Sequence, residues 1–264
     1  MAASSTGSEG RPTILVADGP EAVSRVAADL LVAWLAGAIG ERGVAHVALT
    51  GGSSAKGLYA ALRAPSRAWA LDWGRVHAWL GDDRFVPRVH PDSNGGLALH
   101  ELAADGAGLL PAANLHLIPV EAAMSAGTGP AGAAAAYADE VLGLVPASSG
   151  VPVLDVVLVG VGGDGHLLSV FPGSEALASD APITMGIPAP THIQPHQPRV
   201  TFSPAILRQA GHVMPIVAGA AKAEVLGQIF GPERDPSRWP AQLALGPNAT
   251  WLLDPAAAAG LPRR

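Results

Sequence analysis

Short runs of β-branched and apolar residues alternate with longer runs rich in alanine and leucine along most of the chain. The short runs have the length and composition of strands, and the longer runs have those of helices. This alternation is typical of a parallel sheet whose strands are joined by crossover helices. We therefore predict an α/β fold, and 264 residues suit a single domain of this class.

The predicted strands are short apolar segments bounded by polar or glycine-rich turns: residues 13–17, 45–49, 76–80, 114–118, 154–160, a segment at Val200, 213–218 and 249–253. The predicted helices are residues 20–38, 55–63, 131–144, 204–209 and 220–230. The Val-rich strand 154–160 is expected to be buried on both faces and is predicted to be the central one. Residues 81–94 are predicted to be a polar loop outside the core, and residues 181–198 an irregular proline-rich stretch.

The first eleven residues are small and polar. We predict a disordered tail over residues 1–11, followed by a single α/β domain over residues 12–264. The tail lacks the basic and apolar regions of a secretion signal, and no apolar stretch is expected to reach the roughly 20 residues that cross a bilayer. The chain has no cysteine, which suits a reducing compartment. We therefore expect a cytoplasmic protein with no thiolate chemistry.

The charge balance predicts which partners the chain can bind. A formal net charge of −6 disfavours nucleic acid, whose phosphates require a basic surface. An anionic ligand must then be held by a local group of cations. Only two of the 16 basic residues are lysines, Lys56 and Lys222, so the position of each is informative. We expect a small-molecule ligand, no nucleic-acid or membrane partner, and a monomer or small homo-oligomer.

Ligands of open parallel sheets bind beyond the carboxyl ends of the strands. Gly51, Gly52 and Ser53 follow strand 45–49 and precede a predicted helix. Glycines allow close approach of the backbone, and a helix N-terminus offers free N–H groups, so this segment suits a phosphate. The alternative is a tight turn capped by Ser53 or Ser54.

A second polar segment follows strand 76–80. It contains Asp82, Asp83 and Arg84, with Asn94 further on. Such side chains can hold a polyhydroxylated ligand, and a carboxylate can act as a base. The alternative is a solvated loop whose aspartates form turns and cap the helix after Asn94.

A glycine-rich turn follows the predicted central strand. Gly160, Gly162 and Gly165 match the dinucleotide fingerprint. A helix opening there would meet a Pro-Gly pair within about two turns, so we reject that interpretation. We predict instead an unusual turn that places Asp164 and His166 above the sheet, where an imidazole can act as the base that activates water.

Two cations lie beside the ends of later strands, Arg199 and Lys222. Lys222 lies in the first turn of the predicted helix 220–230, and the helix dipole disfavours a cation at that end. Its position therefore calls for an anion nearby, which a phosphate would supply.

Together these segments resemble the 6-phosphogluconolactonase family, part of the wider group of sugar-phosphate isomerases and glucosamine-6-phosphate deaminases. The likeness runs from Thr13 to the Trp-Leu-Leu-Asp-Pro-Ala sequence at 251–256. The motifs are Gly-Gly-Ser at 51–53, Gly-Asp-Asp-Arg-Phe-Val-Pro at 81–87 with Pro-Asp-Ser-Asn at 91–94, and Gly-x-Gly-x-Asp-Gly-His at 160–166 with Phe-Pro-Gly at 171–173. The chain departs from the family at Asp83, which replaces the usual Glu, and at Leu167-Leu168, which replace the common Thr-Ala.

The resemblance implies a single-domain, Rossmann-like, mostly parallel sheet with helices on both faces. It also implies hydrolysis of 6-phospho-D-glucono-1,5-lactone, with no metal, nucleotide or other cofactor. His166 would be the base that activates water, with Asp164 beside it. The residues expected to bind substrate are Gly51, Gly52, Ser53, Arg199 and Lys222 at the phosphate, and Asp82, Arg84 and Asn94 elsewhere.

Two other functions remain open from the sequence. An amino-sugar-phosphate deaminase or isomerase on the same fold would use Asp82 as a base, but that branch carries Asn-Glu-Pro where this chain has Phe171-Pro172-Gly173. A non-catalytic sensor would bind phosphosugars without consuming them. A sensor that reads DNA is disfavoured because no helix-turn-helix segment is recognised before Thr13 and the net charge is acidic.

Overall fold

The computed structural model describes residues 10–103 and 108–262, so most of the predicted tail, residues 1–9, lies outside the described residues. The strands are β1 (Thr13–Val16), β2 (Ala45–Leu49), β3 (Val76–Leu80), β4 (Asp82–Arg84), β5 (Leu115–His116), β6 (Ala147–Ser148), β7 (Val151–Pro152), β8 (Val156–Val159), β9 (Thr184–Ile187), β10 (Arg199–Phe202), β11 (His212–Val217) and β12 (Thr250–Leu253). The α-helices are α1 (Gly19–Arg42), α2 (Gly52–Leu62), α3 (Pro65–Ala68), α4 (Asn94–Leu102), α5 (Val120–Ala126), α6 (Gly129–Leu144), α7 (Ala205–Gln209), α8 (Ala223–Ile229) and α9 (Pro255–Ala258). Short 3-10 helices occupy Trp73–Arg75, Ala112–Asn114, Glu175–Leu177, Ala220–Lys222 and Pro240–Ala244.

Within these two ranges, seven strands form a parallel sheet in the order β1-β12-β11-β8-β2-β3-β5. β8 is the fourth of the seven, and all of its residues are buried, as are those of β2. Both faces of such a strand lie in the core, so its sequence is a continuous apolar run and does not alternate between polar and apolar residues. The predicted α/β class and the predicted central strand are both confirmed.

Helix α1 is longer than predicted and passes through Gly40. It ends at Arg42 because Gly43 adopts a left-handed conformation, with φ of 80°, and its N–H donates to the carbonyl of Ile39. By length and composition alone, α1 is apolar enough to cross a membrane, with mean hydropathy 1.6, so the expectation that no segment reaches that length is wrong. Its buried residues pack into the hydrophobic core together with those of β2, β11 and β12.

A second, antiparallel sheet joins β4, β10 and β9. This sheet corrects two predictions: β4 lies within the supposed polar loop 81–94, and β9 lies within the supposedly irregular stretch 181–198. Asp82 and Asp83 of β4 are both buried, because each carboxylate has hydrogen-bonding partners inside the protein. The small sheet therefore carries polar residues into the interior beside the end of β3.

Three histidines, His46, His77 and His116, occupy the second position of β2, β3 and β5. His77 Nδ1 lies 2.9 Å from His116 Nε2, and the indole N–H of Trp79 donates to His46 Nδ1 over 3.3 Å. Burial, together with the neighbouring imidazoles of His77 and His116, lowers the pKa of His46 to about 4. None of these three histidines lines the cavity formed by the polar segments.

Candidate active site

A cavity of about 270 Å³ opens where β2, β3, β8 and β11 end. It is slightly smaller than most ligand pockets, which suits a compact ligand. Nine of the ten site residues predicted from sequence line it: Gly51, Gly52, Ser53, Asp82, Arg84, Asn94, His166, Arg199 and Lys222. The tenth, Asp164, contacts His166. The structure thus brings together segments that are more than a hundred residues apart.

The turn after β8 presents the imidazole of His166 to this cavity. His166 Nδ1 lies 2.5 Å from Asp164 Oδ1, so Nδ1 carries the hydrogen and donates it to the carboxylate. Because Nδ1 is engaged, Nε2 is the nitrogen available to accept a proton. Gly162 makes room for the pair, since a Cβ there would lie 2.1 Å from His166 Nδ1 and 2.5 Å from Asp164 Oδ1.

Asp164 remains ionised beside two imidazoles. Burial alone would raise its pKa, but hydrogen bonds and charge from His166, together with a hydrogen bond from His192, hold that pKa well below the ordinary value. The ring of Phe171 packs against His166, with ring centroids 4.7 Å apart. The pair therefore has the orientation and charge that a general base requires.

The Gly-Gly-Ser segment forms the N-terminus of α2. Gly51 is the N-cap residue and makes no side-chain cap, so the first N–H groups of this 11-residue helix are not capped by Ser53 or Ser54. The alternative interpretation of this segment as a serine-capped turn is therefore wrong. Gly52 has a φ of 79°, and a Cβ at Gly51 would lie 1.8 Å from Asn94 Oδ1. Both glycines are needed for this loop to approach Asn94 closely.

Two arginines lie side by side at the cavity. Arg84 of β4 pairs directly with Arg199 of β10, so both side chains project from the same face of the small sheet. Arg84 Nη1 donates to the carbonyl of Asp92 and Arg199 Nη2 to that of Pro195. Among the described residues, the buried Nε groups of both arginines have no hydrogen-bond partner. Two adjacent guanidinium groups with free donors favour an anionic ligand.

Lys222 lines the same cavity. Its ammonium donates to the carbonyl of Val161 over 2.6 Å. Burial lowers the pKa of Lys222, and the charge of Asp164 opposes that change. The turn at Gly219, with φ of 97°, positions Lys222 just before α8, near the anion that its location calls for.

Asp82 and Asp83 are neighbours with different surroundings because successive side chains of a strand point to opposite faces. Asp82 lines the cavity, and its Oδ2 accepts a hydrogen bond of 2.6 Å from Ser169 Oγ. Asp83 accepts hydrogen bonds from the backbone N–H groups of Asn94 and Gly95, over 2.6 and 2.8 Å, at the start of α4. Burial raises the pKa of Asp83 to about 6, against these hydrogen bonds. The capping alternative is thus correct for Asp83, although the predicted solvated loop is not.

A larger open groove of about 970 Å³ adjoins the cavity and shares Gly52, Ser53, Arg84 and Asn94 with it. The rest of its wall comes mainly from α4 and residues 88–93, with Lys56 of α2, Ala103 and Ala112. His166 is not among its lining residues, so the smaller cavity is the one in which the base can reach a ligand.

Residues 18–252 match the sequence profile of the family described as glucosamine-6-phosphate isomerases/6-phosphogluconolactonase. The chain belongs to this family. A 6-phosphogluconolactonase of Synechocystis sp. is 39% identical over 221 residues, which cover 82% of this chain and 85% of that protein. A 6-phosphogluconolactonase of Nostoc sp. is 37% identical over 241 residues, which cover 88% of this chain and 91% of that protein. The structure of 6-phosphogluconolactonase from Trypanosoma brucei superimposes with a TM-score of 0.83 at 28% identity, covering 96% of this chain and all of that one.

Several residues at the cavity were not predicted from the sequence. Ile193 and Gln194 line it, and His192 Nε2 lies 2.8 Å from Asp164 Oδ2. All three belong to the stretch predicted to be irregular, where no spacing or motif marks a functional side chain. Ser169, which holds Asp82, follows the histidine motif closely in the sequence, but its pairing depends on the fold.

Proposed function

We propose that this protein hydrolyses 6-phospho-D-glucono-1,5-lactone to 6-phospho-D-gluconate in the oxidative pentose phosphate pathway. The activity is that named for its relatives in Synechocystis and Nostoc. The observation that carries the proposal is the convergence in one cavity of a carboxylate-supported imidazole and a set of anion-binding groups. A phosphorylated lactone needs both: a base near the carbonyl and cations at the phosphate.

In the proposed reaction, His166 Nε2 removes a proton from water as the water oxygen attacks the lactone carbonyl carbon. The tetrahedral intermediate then collapses, the bond from that carbon to the ring oxygen breaks, and the imidazolium returns its proton to the departing oxygen. Asp164 stabilises the imidazolium between these two steps and keeps Nδ1 protonated. Water is consumed, and the net products are the open-chain acid and the regenerated imidazole.

The phosphate is proposed to bind at the N-terminus of α2, at Gly51, Gly52 and Ser53, together with Arg199 and Lys222. Uncapped N–H groups and the helix dipole favour an anion there. Anchoring one end of the substrate fixes the distance from the other end to His166. Such positioning can supply several kcal/mol of barrier reduction, on the order of the values measured for intramolecular reactions.

The remaining polar groups are proposed to hold the sugar hydroxyls. Arg84 and Asn94 line the cavity, and Asn94 Nδ2 donates to the carbonyl of Asp82 over 2.9 Å. The hydrogen bond from Ser169 fixes the orientation of the Asp82 carboxylate, whose oxygens can accept hydrogen bonds from sugar hydroxyl groups. The deaminase alternative would need this same carboxylate to move a proton between adjacent carbons.

Cytoplasmic location, and a small molecule as sole ligand, are part of the same proposal. The absence of cysteine and the net charge of −6 support it. Lactone hydrolysis also needs no oxidant or nucleotide, since water is the only co-substrate. Oligomeric state, as a monomer or small homo-oligomer, does not enter the mechanism.

The test is the hydrolysis rate of freshly generated 6-phosphoglucono-δ-lactone, with the spontaneous rate subtracted and glucosamine 6-phosphate assayed in parallel. We expect acceleration with the lactone alone. Ammonia release from glucosamine 6-phosphate would favour the deaminase. Binding of phosphosugars without turnover of either compound would favour the sensor.

A further inference from the structure

The carboxylate of Asp164 has two imidazole partners. His166 Nδ1 lies 2.5 Å from Oδ1, and His192 Nε2 lies 2.8 Å from Oδ2. The ionised carboxylate can only accept, so each imidazole donates an N–H to it. Both oxygens of Asp164 are therefore engaged, and rotation of the carboxylate would break one hydrogen bond or both.

His192 is also held by packing. Its ring meets the ring of Phe171 edge to face, with centroids 5.7 Å apart, and Phe171 in turn lies against His166. Edge-to-face packing of this kind fixes ring orientation. His166, Asp164, His192 and Phe171 thus form a closed ring of contacts around the base.

The loop that carries His192 is held by two hydrogen bonds. The imidazole of His196 donates from Nδ1 to the carbonyl of Pro190 over 2.6 Å, which closes the loop across six residues. Arg199 donates to the carbonyl of Pro195 over 3.2 Å. His192 lies within the segment closed by the first of these hydrogen bonds, directly before Ile193 and Gln194 of the cavity wall.

We propose that His192 is a positioning residue for lactone hydrolysis. Its N–H holds Oδ2, so that Oδ1 stays on His166 and keeps that imidazole in the tautomer with hydrogen on Nδ1. Only this tautomer leaves Nε2 able to accept the proton of water. The inference rests on the proposed function and deepens it, because it assigns a second, half-exposed histidine to the same base.

The experiment compares three variants of the full chain. His192→Gln retains an N–H donor at a similar reach, and His192→Phe retains a ring against Phe171 but no donor. His100→Phe is the matched control, because His100 is an exposed histidine of α4 whose imidazole lies near Glu101. The measurements are kcat and KM for the lactone, and the imidazole ¹⁵N shifts of His166, which report its tautomer without any substrate.

We expect His192→Phe to lower kcat about 10-fold, as loss of an orienting partner does at histidine metal sites, with KM changed less than about two-fold. His192→Gln is expected to keep kcat within about three-fold of the parent, and His100→Phe to match the parent. In His192→Phe, His166 is expected to populate both neutral tautomers, whereas in the parent and in His192→Gln it stays in the Nδ1–H form.

The inference is overturned if His192→Phe and His192→Gln lose kcat equally, if KM alone changes, or if His166 keeps the Nδ1–H form in His192→Phe. Failure of the parent protein to hydrolyse the lactone would refute the proposed function instead, and the ¹⁵N shifts would still decide the role of His192. Should His192→Phe fold poorly by its melting curve, His192→Ala supplies the donor-free variant, since about half of this side chain is exposed.

Discussion

Gly162→Ala is expected to disable the catalytic pair while the fold survives. The added Cβ would lie 2.1 Å from His166 Nδ1 and 2.5 Å from Asp164 Oδ1, against an ordinary contact distance of about 3.5 Å. The imidazole must then move by about 1.4 Å to restore that distance. Because a misplacement of about 1 Å can cost roughly 100-fold in rate, we expect kcat to fall by at least about 100-fold.

The stability cost should be moderate, because two partly exposed side chains can move and no backbone has to. Overpacking costs about 1–3 kcal/mol, and each kcal/mol shifts the Tm of a domain of this size by roughly 2–4 °C. A melting curve followed by circular dichroism, together with the spontaneous-rate-corrected lactone assay, separates the two effects.

Gly163→Ala is the matched control, since it lies in the same turn and a Cβ there meets no atom within 4 Å. Its kcat should stay within about two-fold of the parent. If Gly162→Ala kept more than a fifth of the parental kcat, the assignment of His166, packed against Gly162, as the base would be wrong. Equal losses in both variants would mean that the whole turn, not the contact with His166, is sensitive.

Four further substitutions test other parts of the site and core. His166→Ala should lower kcat by about 10²–10⁴-fold with an unchanged melting curve, and unchanged kcat would exclude it as the base. Lys222→Ala and Arg199→Ala should raise KM about 10- to 100-fold with little effect on kcat, because hydrogen bonds to the phosphate are the same in the ground state and the transition state. A loss confined to kcat would contradict phosphate binding by these residues. The pKa of His46 is about 6.5 in the unfolded chain and about 4 in the folded protein. The contribution of His46 to the free energy of unfolding is therefore complete above pH 6.5, and about 3 kcal/mol of it is lost as the pH falls to 4. Urea unfolding of His46→Gln should therefore show a shallower loss of stability between pH 7 and 4.5 than the parent, and parallel curves would refute this.

The main sheet was predictable because its signal is local. Each buried parallel strand is a short apolar run that needs no partner to be recognised, so β2 and β3 have the bounds expected from sequence. Of the small sheet, only β10 was predicted, as the strand at Val200. β4 was not predictable, because it is three polar residues whose burial depends on hydrogen bonds from distant segments. β9 was hidden in the same way among prolines and glycines.

The same distinction between local signals and contacts made only by folding applies to the candidate site. Glycine-rich turns after strands marked His166 and the Gly-Gly-Ser loop directly, since both are continuous in sequence. His192 reaches Asp164 only through the folded loop that carries it, and a lone histidine between prolines gives no local signal. The roles of Asp82 and Asp83 could be distinguished only once both were known to lie in a strand. Their side chains then point to opposite faces of the sheet, and the register decides which carboxylate faces the cavity.

The direct pairing of Arg84 with Arg199 limits how this protein can vary in length. Loss or gain of one residue within β4 or β10 would turn one guanidinium to the far side of the small sheet, towards the carboxylate that caps α4. The loop after β4, residues 85–93, has no such restriction, because no ladder fixes its register, whereas residues 188–198 are held by the hydrogen bonds around His192. We therefore expect insertions and deletions to accumulate in the loop after β4 and not in the loop of His192, while the paired arginines keep their places at the cavity.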